Sequence, residues 1–363
     1  MEIRPDFEWR DYGALTTDIY RHYHQYRDSM SPLIKDIVSG QSPFSRHIEK
    51  SLAGVYDGGK LLAATVLISS EKLPGYLSMA FFEALDDRTA IMMLLDHAKR
   101  SAAARGIGKV IVGINGHMNY GMGLLCDNFD KPVSFWSSFN PPYYYDYLKG
   151  HADNEHGLAS YVFDLASLGF VKYRSLFARL NKRFKYRVAD FKQLEREVEI
   201  YTRLINECFE EHPLYWERTK EENGEMYEAL RPFLRGEHLI FAEDEGRAVG
   251  YVLWHPDLNE LITPGKSIGL ATLIKYRIGW PRITRFKVAE IGVLPKYRGS
   301  GLIFGLLHNC FCLAKDRYSQ CESGWIMDEN FPSRSLISHF GGTEYKHYKV
   351  LEFDVCQRRF KFA

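Results

Sequence analysis

Apolar residues along the chain repeat with two periods, and the switches between them follow the same order in both halves. Residues 52–68 hold two β-rich runs on either side of Asp57-Gly58-Gly59, which predicts a hairpin. A third apolar run over 76–85 stops at Asp86-Asp87. The period then lengthens: Ile91, Leu94, Leu95 and Ala98 fall on one face of a helix that starts near Arg88 and stops at Gly106. A buried strand over 109–115 follows, then a Gly-, Asn- and aromatic-rich stretch to 147, a strand over 161–165 and a basic connector over 172–187. The second half predicts helices over about 191–209 and 220–234 and a hairpin over 238–254 turned at Asp244-Glu245-Gly246-Arg247. After it come a strand over 285–295, a helix over 300–319, a strand over 322–327, a short helix over 333–340 and a last strand over 345–355. The first fifty residues read as polar and aromatic, broken at Ser39-Gly40-Gln41-Ser42-Pro43, and are assigned no element. Both halves run hairpin, strand, helix, strand, the order of two similar α/β (α+β) domains.

Length agrees, because 363 residues at roughly 150 per domain make about two domains. An apolar fraction of 45% excludes disorder as the main state. The net charge of +1 gives no general field for polyanions, so nucleic acid is not an expected partner and any phosphate site must be local. The basic run from Lys172 to Arg187 reads accordingly as a solvated strand face. Six cysteines (126, 208, 310, 312, 321, 356) form no CxxC pair and no zinc spacing, so no metal is expected. The N-terminus is charged from its second residue, and the apolar run 61–68 falls far short of the ~18–20 residues that cross a bilayer. No membrane span and a cytoplasmic location are therefore expected.

The sharpest chemical signal is Gly292-Val293-Leu294-Pro295-Lys296-Tyr297-Arg298-Gly299-Ser300-Gly301-Leu302, at a strand end and a helix start. Glycines there let backbone N–H groups turn inward, and the helix N-terminus adds partial positive charge, which suits a pyrophosphate. A dinucleotide fold would need GxGxxG and an acidic residue further on, and Gly299-Ser300-Gly301 is followed by Phe304-Gly305 instead. The passage strongly resembles the R/Q-x-x-G-x-G/A loop of the GNAT superfamily of N-acetyltransferases. Its continuation through Glu329-Asn330 and Ser333 to Gly342 is similar to that superfamily's next segment. The wider chain resembles a bacterial family of tandem acetyltransferase-like proteins through residues 115–132, 139–148, 255–261, 292–301 and 322–330.

The resemblance implies two tandem GNAT-like domains, 1–175 and 176–363, each a mixed, mostly antiparallel sheet flanked by helices. It implies acetyl-CoA or another acyl-CoA as donor substrate in the second. Backbone amides of Arg298, Gly299, Ser300 and Gly301 would hold the pyrophosphate, with Lys296, Tyr297, Leu302 and Asn330 around the cofactor. Val293 would bind the pantetheine amides and offer an N–H to the thioester carbonyl. The implied reaction is transfer of an acyl group to an amine of a small metabolite or amino acid in a ternary complex. The rival is a non-catalytic acyl-CoA-binding or regulatory protein. Lys296 stands where Arg or Gln is usual, Ile337 where a tyrosine often protonates the leaving thiolate, and Gly342 where Phe is usual.

Glu290 and His339 are the candidate general bases, against readings as an ion-paired strand carboxylate and a partly buried histidine. Asn330 reads equally as a cap for the helix after it. In the first half, Asp86 and Asp87 occupy the place of a pyrophosphate, so that domain is expected to serve as scaffold and pocket wall without binding coenzyme A. His117 with Asn115, Asn119 and Tyr120 reads as a structural loop. The aromatics Phe135, Trp136, Phe139, Tyr143, Tyr144, Tyr145 and Tyr147 fit either a pocket lining or packing between domains. A homodimer is compatible with all of this.

Overall fold

The computed structural model describes residues 1–28, 31–168 and 170–355, so Cys356 lies outside the described residues. In chain order the strands and helices are β1 (Glu2–Arg4), α1 (Trp9–Tyr20), α2 (Ser31–Ser39), β2 (Glu49–Asp57), β3 (Lys60–Ser69), β4 (Tyr76–Ala84), α3 (Arg88–Ala104), β5 (Lys109–Val112), β6 (Leu124–Leu125), α4 (Pro142–Leu148) and β7 (Asn154–Asp164). There follow α5 (Arg174–Arg183), β8 (Lys185–Val188), α6 (Leu194–Phe209), α7 (Lys220–Leu230), β9 (Leu239–Asp244), β10 (Arg247–Pro256), α8 (Leu270–Ile278) and β11 (Arg285–Val293). The chain ends with α9 (Leu302–Ala314), β12 (Gln320–Ser323), β13 (Ile326–Met327), α10 (Phe331–His339) and β14 (Thr343–Asp354).

Two compact units result. One holds Met1–Leu158, Thr263–Ser267 and the segment from Lys346; the other holds Ala159–Ile262 and Ile268–Tyr345. The first has the sheet order β1-β2-β3-β4-β5-β14, with only β4 and β5 parallel. Ala90, Ile91, Leu94, Leu95 and Ala98 of α3 are buried in its core beside Leu351 and Phe353 of β14. Between those two, Glu352 points to the opposite face, where Lys109 and His156 meet it at 2.5 and 2.8 Å. The second unit has the order β7-β12-β11-β10-β9-β8, with only β11 and β12 parallel. Leu302, Leu306, Cys310 and Phe311 of α9 are buried there.

One device occurs in each unit. β11 pairs with β12 only over Arg285–Val288, yet stays paired with β10 through Val293. Its register slips by one residue at Ala289, a bulge that turns the strand out of the parallel pair. In the first unit β4 pairs with β5 over Tyr76–Met79 only and stays on β3 to Ala84, with a bulge at Phe81, whose φ is 50°. Beyond each bulge the parallel strands no longer pair, so one side of β11 and of β4 lacks a strand partner.

Three expectations need correction. Lys172 to Arg187 is no strand face: Arg174–Arg183 is helical and buries Phe177 and Leu180, leaving only Lys185–Val188 as strand. Tyr12, Leu15, Ile19 and Tyr20 give the N-terminal segment a helical period, and α1 buries them. Pro142–Leu148, within the supposed irregular stretch, is a helix with proline at its start, where the missing N–H costs nothing.

Candidate functional site

The loop expected to carry chemistry starts where β11 has left β12. Leu294 donates its N–H to the Val249 carbonyl at 3.0 Å. Successive amides of an extended strand point to opposite sides, so the Val293 N–H faces the open side. Pro295–Tyr297 makes one 3-10 turn, pinned by the Tyr297 hydroxyl donating to Asp244 Oδ2 at 2.9 Å. The Arg298 and Ser300 amides donate to the carbonyls of Pro295 and Tyr297, both at 3.1 Å. Two of the four amides expected to face a pyrophosphate are therefore spent on the turn itself.

Gly299 and Gly301 remain, and among the described residues no acceptor meets their amides. Their φ values of 79° and 82° are left-handed, which glycine adopts without strain. Gly301 is the N-cap of α9 and supplies no capping side chain, so the positive end of that helix is left open. Leu302 is buried and takes a bond from its amide to Ser300 Oγ at 3.2 Å. Lys296 is exposed beside the Tyr297 ring. The exposed Arg298 guanidinium pairs with Glu211 and donates to the Cys208 carbonyl at 3.2 Å.

Glu290 stands three residues before Val293, just past the bulge at Ala289 and on the same side of it as Val293. Its carboxylate accepts from Tyr201 Oη at 2.6 Å and Tyr251 Oη at 3.3 Å. Burial lifts its pKa above the usual carboxylate range, while those hydroxyls, Arg218 and Lys287 pull it back. Tyr201 and Tyr227 meet edge to face at 5.3 Å, as do Tyr201 and Tyr251. The carboxylate thus sits at the end of an aromatic wall, held by hydroxyls and with no direct ion pair among the described residues.

The other candidates lie elsewhere. His339, exposed at the end of α10, bonds the Tyr173 hydroxyl at 2.5 Å, and no contact joins it to Glu290. Asn330 caps α10, its Oδ1 accepting from the Ser333 amide at 3.2 Å. Ile337 is buried and carries no proton to give. Among the described residues no cluster of three or more His, Cys, Asp or Glu is placed to hold a metal.

The first unit answers the same junction differently. Asp87 caps α3 itself, its Oδ1 accepting from the Ala90 amide at 2.9 Å, and Asp86 takes the Tyr147 hydroxyl at 2.6 Å. Yet β4 carries a carboxylate that the sequence reading passed over. Glu83 accepts from Tyr20 at 2.8 Å and from Tyr144 at 2.9 Å, and burial pushes its pKa up to about 8. It mirrors Glu290 in being one acid past a bulge, held by two tyrosine hydroxyls with no direct ion pair among the described residues, though Arg218 and Lys287 act on Glu290 from a distance. The signal was present, since Glu83 is the lone charge in the apolar run 76–85.

The aromatics of α4 serve this junction. Tyr143 and Tyr144 bond the Ala84 carbonyl and amide at 2.8 and 2.6 Å, which makes them internal packing of the first unit. Asn115 accepts from the Phe81 amide at 2.8 Å and donates to the Tyr120 carbonyl at 2.8 Å, holding the strained bulge. His117 is buried and accepts from the Asn119 amide at 3.1 Å, a structural loop.

With this geometry in hand, residues 199–341 match the acetyltransferase (GNAT) family. A bacterial ceramide synthase of Caulobacter vibrioides is 24% identical over 328 residues, covering 86% of this chain and 85% of that protein. Among solved structures, a tandem GNAT protein from the clavulanic acid biosynthesis pathway aligns with a TM-score of 0.56 at 12% identity, covering 98% of both chains. A GCN5-related N-acetyltransferase from Sphaerobacter thermophilus aligns with a TM-score of 0.53 at 13% identity, over 98% of this chain and 95% of that one. The chain therefore has the fold of two GNAT-like units in tandem, and residues 199–341 of the second match the acetyltransferase (GNAT) family.

Proposed function

We propose that the second unit transfers an acyl group from coenzyme A to an amine. The observation that carries this reading is the junction of β11 and α9: a glycine N-cap without a capping side chain, two left-handed glycines whose amides meet no acceptor among the described residues, and a carboxylate held by two tyrosine hydroxyls on the same strand. The pyrophosphate would lie on the amides of Gly299 and Gly301 and on the helix end, with Lys296 adding charge from the rim. Pantetheine would run beside the unpaired side of β11, where the Val293 N–H meets the thioester carbonyl and stabilises negative charge on its oxygen. Glu290, ionised, takes a proton from the amine as the C–N bond forms. The C–S bond then breaks, and coenzyme A leaves as the thiol once protonated from solvent. Because Ile337 offers no acid, departure of the thiol is the step this chain assists least.

The curated relative favours a lipid pair of substrates over a small amine. A ceramide is the amide of a long-chain amino alcohol with a fatty acid, so an enzyme named for its synthesis forms an amide of the type proposed here. Acetyl-, octanoyl- and palmitoyl-CoA, each offered with a small amino acid or a long-chain amino alcohol, separate the two readings. The measurements are thiol release and the mass of the amide. Saturable binding of acyl-CoA that Gly299→Glu abolishes is the expected result. Binding without thiol release from any pair would leave a non-catalytic acyl-CoA-binding protein, and no binding at all would overturn the loop assignment.

A further inference from the structure

Among the described residues, four of the seven large apolar side chains exposed on the surface lie within Leu270–Trp280, the others being Met1, Val188 and Phe331. Leu270, Ile274 and Ile278 are 73, 53 and 66% exposed, and Trp280 is 72% exposed. The first three are spaced four residues apart on α8, which puts them in one stripe along the outer face of that helix. The inner face is accounted for: Thr272 is buried and Tyr276 packs on Phe233 at 5.7 Å. Water-facing helices normally carry polar residues on the outside, so this stripe has the wrong polarity for a solvated surface.

The charge of this segment has one sign. Residues 261–289 contain six Lys and Arg and no Asp or Glu, in a chain whose net charge is only +1; Arg285 is paired with Asp257 and Lys287 is buried, so the cations nearest the stripe are those of α8 and of Arg282. Lys275, Arg277 and Arg282 donate to the backbone carbonyls of Leu261, Pro232 and Asp316, and among the described residues no carboxylate pairs with them. A groove lined by Pro232, Leu234, Arg235, Tyr276 and Arg277 lies beside the helix and brings two guanidinium groups together. Exposed aliphatic residues, a tryptophan at the helix end and flanking cations are the composition of a helix that lies in the plane of a bilayer interface.

We propose that α8 and Trp280 dock the protein on an anionic membrane surface, with the aliphatic stripe entering the acyl region and Lys275, Arg277 and Arg282 meeting lipid phosphates. A soluble partner protein fits less well, because three cations that pair with no carboxylate among the described residues match a uniformly anionic plane. No helix of the described chain is long and apolar enough to cross a membrane, so the contact is peripheral. This inference stands apart from the catalytic reading, since it requires neither acyl-CoA nor turnover.

The test is sedimentation of the full chain with vesicles of phosphatidylcholine alone and of phosphatidylcholine with phosphatidylglycerol in equal parts. The expected result is co-sedimentation with the mixed vesicles, weakened by salt and absent with phosphatidylcholine alone. Ile274→Asp with Ile278→Asp should lower the partition coefficient on the order of a hundredfold, because each buried isoleucine is worth roughly a factor of ten. Both side chains are exposed, so the thermal melt of this variant should match wild type; Arg277→Glu with Arg282→Glu should remove the preference for anionic lipid. The proposal fails if wild type stays in the supernatant with both vesicles at low salt, or if the aspartate variant sediments as wild type does. It also fails if wild type is a dimer that the aspartate variant splits while neither binds vesicles, which would assign the stripe to a second copy of the chain.

Discussion

Glu83 makes the physical logic of the first unit measurable. Its carboxyl is held at about 8 by burial, against 4.5 for an exposed glutamate, so the folded chain keeps a proton that the unfolded chain has lost. An acid whose folded pKa is raised contributes most below its unfolded pKa, and that stability drains away as pH rises from about 4.5 to about 8. Each pH unit in the middle of this window costs about 1.4 kcal/mol, and the whole change from about pH 5 to about pH 7 is roughly 2.5 kcal/mol. Glu83→Gln keeps the shape and the contacts with Tyr20 and Tyr144 but cannot ionise. Urea unfolding of both proteins at several pH values, with amide exchange of α3 as the local readout, gives the difference directly. Wild type minus variant should fall by that amount, with the contributions of all other groups cancelling. Parallel pH curves for the two proteins would refute the buried, protonated state of Glu83.

Replacement of Glu290 by Gln should cut acyl transfer by roughly a hundred- to ten-thousandfold while leaving acyl-CoA affinity within about twofold. In wild type, kcat/KM should rise with pH through a value above the ordinary carboxylate range, because the base must ionise and burial opposes it; the Gln variant should lack that limb. Gly305→Ala places a Cβ 1.9 Å from Tyr186 Oη, so it should cost roughly 1–3 kcal/mol in a thermal or urea melt, and Tyr186→Phe should recover part of that. Asp87→Ala removes the cap of α3 and should cost about 1 kcal/mol of helix stability. The same variant should still not bind acyl-CoA, because no glycine opens the turn between Ala84 and Arg88.

The glycine turn between β11 and α9 was legible because its signal is contiguous: a strand end, Gly299, Gly301 and a helix start sit within eleven residues, and backbone geometry at such a junction depends on little else. The capping aspartate of the first unit was legible for the same reason. The partners of Glu290 were not, since Tyr201 and Tyr251 come from α6 and β10, some 89 and 39 positions away. Glu83 was passed over for a related cause. A lone acid in an apolar strand reads as an edge residue until Tyr20 and Tyr144, 63 and 61 positions distant, are seen to close on it. His339 and Asn330 show the converse: residues chosen for a role beside the loop are held by the Tyr173 hydroxyl and by the helix cap of α10.

By itself the sequence determined what short range controls: the alternation that makes strands, the period that makes α3 and α9, the glycines that open one helix start and the aspartates that close the other. Tertiary structure alone decided which sheet each strand joins. β14 is the last strand in sequence order yet pairs with β5, and Val162–Asp164 of β7 pairs with β12, because strand pairing is set by backbone hydrogen bonds and buried faces between distant segments. It also decided which face of α8 points outward, since a nine-residue helix of mixed polarity has no inside until Phe233 packs against Tyr276.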